Sequence, residues 1–221
     1  HMAKLRHRCE ALNKLDLKAL RYTCENGTDL LLELPEGHIW LGGEESSKDG
    51  TIFNANIPTE EVFSAPQYNG VNGIVYSTKP LIYHGNTISD FSFTFKEGKI
   101  VKYTAKEGYE VLKELVETDE GSHYLGEVAL VDHFSPISQS NQIFFETLFD
   151  ENASCHLAIG ASYPTCLKDS DGLSDEELKE RGLNHSLTHV DFMIGHERMN
   201  IKGYTRDGQE VDIMIDGRLQ V

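Results

Sequence analysis

Apolar and polar positions alternate with a period of two through much of this chain and follow a helical period in only a few places. The opening "AKLRHRCEALNKL" sets Leu5, Cys9, Leu12 and Leu15 at helical spacing, which predicts one amphipathic helix with its basic half in solvent. From Lys18 to about Gly43, "KALRYTC", "TDLLLELP" and "HIWLGG" are short β-rich runs parted by "ENG" and "PEG" turns, the pattern of an antiparallel meander. The polar "GGEESSKDGT" that follows reads as a loop. Further β runs are "VNGIVYST", "DFSFTFKEGKIVKYTA" and "GQEVDIMIDGRLQV", the second a hairpin turning at "KEGK". Two more helices are expected. "EGYEVLKELVET" brings Tyr109, Leu112, Leu115 and Val116 onto one face, and "SDEELKERG" starts with Ser174 as N-cap and stops at Gly182. The expected fold is α+β, a mostly antiparallel or mixed β-sheet with a few flanking helices in a single domain.

Composition narrows the function more than the fold. With 221 residues, 39% apolar and 25% charged, the chain can bury a sizeable core. A formal net charge of −16 with no basic run argues against nucleic acid, whose binders carry a basic patch to displace counterions. A local acidic cleft suits cations or a substrate's ammonium group instead. No apolar run approaches the roughly 20 residues that span a bilayer, so no membrane partner is expected. The four cysteines, Cys9, Cys24, Cys155 and Cys166, lack C-x-x-C spacing and are too sparse for a disulfide framework, which fits a reducing, cytoplasmic setting.

Within this frame "LTHVDFMIG" stands out. As a β-strand it places His189 and Asp191 side by side on one face, either as a hydrogen-bonded pair or as part of a site. Three other segments also hold acids or histidines among small and apolar neighbours. "NIPTEEVFSAP" carries Glu60 and Glu61 at the start of an element, a surface doublet unless one points inward. "GEVALVDHFSPI" sets Glu127 in a strand-like context where a buried carboxylate needs an Arg, a Lys or a metal to face it. "ETLFDENASCHLAIGASY" offers Glu151 and His156 around a tight turn, and a lone His there fits a core histidine equally well. Taken together, several carboxylates and two imidazoles suit a pair of divalent ions better than one structural zinc, which prefers thiolates. Two ions about 3.5–4 Å apart can share a carboxylate and a hydroxide and polarise a carbonyl. There is no H-E-x-x-H and no nucleophile elbow.

"NIPTEEVF", "DENASCHLAIG" and "HVDFMIG", in this order, closely resemble segments of the thermophilic aminopeptidase family of metallopeptidases, of the aminopeptidase T and aminopeptidase S type. The likeness extends from about Leu12 onward. It implies a two-metal exopeptidase that hydrolyses the N-terminal peptide bond of peptides through a metal-bridging hydroxide. It also implies that Glu61, Glu127, His156, His189 and Asp191 are metal ligands, with Glu151 a sixth. Tyr163 resembles the family's active-site tyrosine, a donor to the tetrahedral oxyanion. Glu60 is the candidate general base and Glu127 the alternative. Two divalent ions are implied, zinc or cobalt first, then manganese or magnesium. The expected partners are peptides with a free N-terminus and a second copy of the chain in a homodimer. Family members carry a further domain before this region. The resemblance thus reads His1-Met2 as an expression-tag scar and 3–221 as the C-terminal catalytic, metal-binding domain of a longer aminopeptidase, weakly active alone. The rival reading is a non-catalytic β-rich dimerisation or binding module, whose acids and histidines form ordinary ion pairs.

Overall fold

Helix α1 (Met2–Leu15) buries Leu5, Cys9 and Leu12 on the face that its spacing predicts. It leads into β1 (Leu17–Thr23), β2 (Asp29–Glu33), β3 (Glu45–Ser46), β4 (Ile52–Phe53) and β5 (Val62–Ser64). Then come β6 (Val71–Tyr76), β7 (Leu81–Tyr83), β8 (Asn86–Ile88), β9 (Ser92–Lys96), β10 (Lys99–Thr104), α2 (Tyr109–Val116) and β11 (Leu125–Leu130). The remainder holds α3 (Pro136–Gln139), α4 (Thr147–Asp150), β12 (His156–Gly160), α5 (Asp175–Glu180), β13 (His189–Met193), β14 (Asn200–Thr205), β15 (Glu210–Ile215) and β16 (Arg218–Leu219). This computed structural model describes residues 1–54 and 59–221; Asn56 to Pro58, which open the "NIPTEEVFSAP" segment, lie outside the described residues.

Two antiparallel sheets organise these strands. The larger has eight, in the order β10-β9-β6-β2-β1-β14-β15-β16, and the smaller has four, in the order β13-β12-β11-β5. One apolar core joins them. Leu20, Tyr22, Leu32, Val75 and Phe93 of the larger sheet pack with Val62, Val128, Leu130, Leu157 and Phe192 of the smaller, and Leu5, Leu12, Leu112 and Leu115 close the ends from α1 and α2. Phe93 meets Phe192 edge to face at 5.0 Å between ring centres, a contact that couples the sheets directly. The α+β, mainly antiparallel, single-domain expectation agrees with this architecture.

Details differ from the sequence reading. "HIWLGG" forms no strand. Only His38 and Leu41 make isolated bridges, to Leu167 and Phe63, because the free edge of β2 is taken by β6. Gly43, at φ +81°, then turns the chain away. The loop "GGEESSKDGT" contributes β3 to a two-stranded ribbon with β4. Tyr109 lies 44% exposed in the first turn of α2, where it stacks on Tyr103 instead of joining Leu112 and Leu115 in the core. The Ser174 cap is present as a full capping box with Glu177.

Candidate metal centre

The small sheet divides its two faces by chemistry. Its inner face carries Val62, Val128, Leu130, Leu157, Ile159 and Phe192 into the core. Side chains alternate along a strand, so the residues between these fall on the other face. They are Glu61 and Phe63 from β5 and the residue before it, Glu127 and Ala129 from β11, His156 and Ala158 from β12, and His189 and Asp191 from β13. Strand register then sets them side by side. Ala158 lies opposite Glu127 on one neighbour and Asp191 on the other, His156 lies opposite Ala129, and His189 lies opposite Gly160. The small residues leave the room into which the acids and imidazoles converge.

One irregularity makes the arrangement possible. The β11–β12 register shifts between Leu125, paired with Ile159, and Glu127, paired with Ala158. Gly126 is thus the extra residue of a β-bulge, and the bulge turns Glu127 to the outer face while Leu125 stays in the core. A side chain is barred at this position, since a Cβ on Gly126 would stand 2.2 Å from the Ala161 carbonyl oxygen.

Each imidazole is anchored from behind. His156, fully buried, donates its Nδ1–H to the Ser154 carbonyl at 3.0 Å, and His189 donates its own to the Ala161 carbonyl at 2.7 Å. Both Nε2 atoms therefore face the acids, the orientation that metal-binding histidines take when a backbone oxygen fixes the tautomer. His156 Nε2 lies 3.1 Å from Glu61 Oε2 and 3.3 Å from Glu127 Oε1. His189 Nε2 lies 3.4 Å from Asp191 Oδ1 and 3.6 Å from Glu127 Oε2. Close as these atoms are, Glu61 Oε2, His156 Nε2 and Asp191 Oδ1 find no aligned hydrogen-bond partner among the described residues. Buried polar atoms left this way are costly, and donors aimed at a common point rather than at one another are what a cation needs.

Three overlapping triads meet the geometric requirement, with ligand atoms all within 4.8 Å of one another: Glu61–Glu127–His156, Glu127–His189–Asp191 and Glu151–His156–Asp191. Oxygen donors with two nitrogens fit hard or borderline divalent ions. Among the described residues the ion-pair partners of Glu61, Glu127 and Asp191 are these imidazoles, not a Lys or Arg.

The electrostatics show what the cluster costs without a cation. Burial and the neighbouring Glu61 and Asp191 carboxylates push Glu151 up to about 8. Burial also raises Glu127, against the pull of His156. For Asp191 burial opposes the charged form, yet the adjacent His189 and His156 imidazoles hold it below the ordinary carboxylate range. Burial would lower His189, but Asp191 and Glu127 bring it up to about 9. The protons that crowd this site stand where divalent charge would relieve the repulsion.

The cluster opens into a cavity of about 570 Å³ lined by Glu61, Glu127, Glu151, His189 and Asp191, with Phe63, Tyr83, Leu148 and Tyr163 as apolar or aromatic wall. Tyr163 is half exposed, 4.9 Å from the His189 ring between centres, and burial with the nearby Glu127 pushes its phenol up to about 12. It remains a donor at neutral pH. Glu60 is placed apart from the others. In an extended segment successive side chains point to opposite sides, and with Glu61 turned to the cavity Glu60 turns to α1. There its carboxylate lies 3.7 Å from His1 Nε2, and it does not line the cavity. Sequence reading passed over Phe63 and Leu148 as wall residues, although Phe63, two positions after Glu61, carried the same alternation signal.

Known proteins match this chain along nearly its whole length. Residues 1–219 match the family model described as thermophilic metalloprotease (M29). The chain is 54% identical over 217 residues to aminopeptidase AmpS of Bacillus subtilis strain 168, covering 98% of this chain and 53% of that protein. It is 43% identical over 218 residues to aminopeptidase T of Thermus aquaticus, covering 99% of this chain and 53% of that protein. Wild-type AmpT from Thermus thermophilus has a similar solved structure, with a TM-score of 0.89 at 40% identity over 99% of this chain and 55% of that one. The chain spans about half the length of the curated relatives it matches. On matches that run along nearly its whole length, the chain belongs to the thermophilic metalloprotease family.

Proposed function

We propose that this chain is the metal-binding, catalytic portion of an aminopeptidase that uses two divalent ions to hydrolyse the N-terminal peptide bond of peptides. The observation that supports it most is the overlap of the three triads. Glu127, His156 and Asp191 each belong to two of them, so more than one ion can share ligands within one cluster. Glu61, Glu127, His156, His189 and Asp191 would hold the ions, with Glu151 the sixth ligand; zinc or cobalt fits this donor set first, manganese or magnesium next. Bound there, such ions supply Lewis acidity and a water of lowered pKa.

The chain's own groups do the rest. The acidic wall receives the substrate's ammonium group, and no Lys or Arg lines the cavity among the described residues. Tyr163 keeps its proton and donates it as a hydrogen bond to the oxyanion of the tetrahedral intermediate. Glu60 does not line the cavity, so in this proposal a carboxylate of the cavity wall, and not Glu60, takes the proton of the attacking water and returns it to the leaving amine. A homodimer is part of the proposal, supported by the exposed apolar run of Phe144, Phe145, Leu148 and Phe149. So is a cytoplasmic location, supported by four unpaired cysteines. No helix is long and apolar enough to cross a membrane among the described residues.

Release of the first residue from a short peptide, assayed with added zinc or cobalt and then with a chelator, tests the activity. Chelator-sensitive release from a free N-terminus, absent from the N-acetylated peptide, is expected. Cleavage that ignores both chelator and acetylation would overturn the proposal.

A further inference from the structure

Asn152 sits between two ligand-bearing segments without facing the cavity. Its side chain is fully buried, in the single turn that follows α4 and directly after Glu151. The Oδ1 accepts the backbone N–H of Glu60 at 2.8 Å, across 92 positions of sequence, and Nδ2 donates to the Leu148 carbonyl at 3.1 Å. Glu60 precedes β5, so its N–H has no ladder partner, and the amide of Asn152 takes that place. One side chain thereby ties the backbone that carries Glu61, the turn that carries Glu151, and the cavity-wall residue Leu148. An amide is required: a carboxylate keeps the acceptor but loses the donor, and an apolar side chain loses both.

We infer that Asn152 is a positioning residue for the metal site, holding Glu61 and Glu151 in place for ion binding. The inference rests on the two-metal reading and adds a directional consequence. Glu61 and Glu151 belong to the two triads that contain His156, whereas Glu127–His189–Asp191 contains neither. Loss of Asn152 therefore weakens one ion and spares the other.

Co²⁺ titration followed by visible absorption tests this on the wild-type chain, Asn152→Leu, Asn152→Asp and a distant core control, Ile213→Val, with thermal unfolding of each metal-free protein alongside. The wild type should take up two equivalents. Asn152→Leu should keep one tight equivalent and bind the second about 10–100-fold more weakly, the usual effect of removing a ligand's supporting hydrogen bond. Asn152→Asp should fall between, which keeps the test usable if the leucine variant folds poorly. Ile213→Val should bind both equivalents normally. Two wild-type-like equivalents in both Asn152 variants, or an equal loss in Ile213→Val, would overturn the inference alone. No Co²⁺ uptake by the wild type would overturn the two-metal reading and the inference with it.

Discussion

Leu125 and Glu127, two residues apart in one strand, face opposite sides of the small sheet, Leu125 into the core and Glu127 into the acidic cavity. Regular alternation would put them on the same face, and the bulge at Gly126 reverses it. Replacing Gly126 with alanine drives a Cβ against the Ala161 and Gly160 carbonyl oxygens, at 2.2 and 2.4 Å, both backbone and neither free to swing away. Overpacking of this kind costs about 1–3 kcal/mol, so thermal unfolding of Gly126→Ala should shift down by roughly 2–12 °C. An unchanged midpoint would mean that the bulge does not need glycine.

Ala158 lies between Glu127 and Asp191 on the ligand face. Valine there adds two methyl groups where ligand atoms converge, while the core face of β12 is untouched. Ala158→Val should fold with a wild-type circular dichroism spectrum yet lose divalent-ion affinity by at least about tenfold, as disturbed ligand orientation generally does. Calorimetric titration that finds wild-type affinity would show that the cavity floor is not the binding surface.

The pH dependence of stability should differ with and without metal. His189 is raised from 6.5 to about 9 in the fold, so its contribution is complete below about 6.5 and lost as pH climbs through 9. Glu151, raised from 4.5 to about 8, likewise favours the folded state at low pH and ceases to between 4.5 and 8. The chelated protein should therefore lose stability steadily from pH 5 to 9. Metal binding displaces these protons, so the gain in melting temperature on adding metal should widen over the same range. Parallel curves with and without metal would contradict this.

Arg8 anchors α1 through Asp132, which follows the end of β11, at 3.1 Å, with side chains 4% and 13% exposed. Arg8→Met leaves the Asp132 carboxylate without its cation in a mostly buried setting, a change that costs about 3–5 kcal/mol in comparable cases. Denaturant unfolding should show a loss of that order, partly recovered in the double variant Arg8→Met/Asp132→Asn. A loss below about 0.5 kcal/mol, the range of ordinary surface substitutions, would place the pair among the neutral ones.

The parts of this structure that sequence reveals are those governed by local periodicity. The α1 stripe of Leu5, Cys9 and Leu12 and the hairpin at "KEGK" follow from spacing, as does the shared face of His189 and Asp191. Non-local choices escaped. Nothing in "HIWLGG" shows that β6 claims the edge of β2, and nothing in "LGEVAL" announces a bulge beyond the glycine itself. Of the Glu60–Glu61 doublet, local pattern foresees an inward carboxylate and the family resemblance takes Glu61 as ligand and Glu60 as base; that Glu60 turns away from the cavity depends on where β5 enters the sheet relative to β11. Asn152 is invisible for the same reason: its partner amide lies 92 positions away.

The central claim, that carboxylates and imidazoles from the small sheet and the segments beside it converge on divalent ions, is tested most directly by elemental analysis of the purified chain beside His189→Ala and Glu127→Ala. Metal in the wild-type chain approaching two ions, cut in the first variant and nearly abolished in the second, is the expected result. Equal metal in all three proteins, or none in the wild type after exposure to zinc or cobalt, would contradict it.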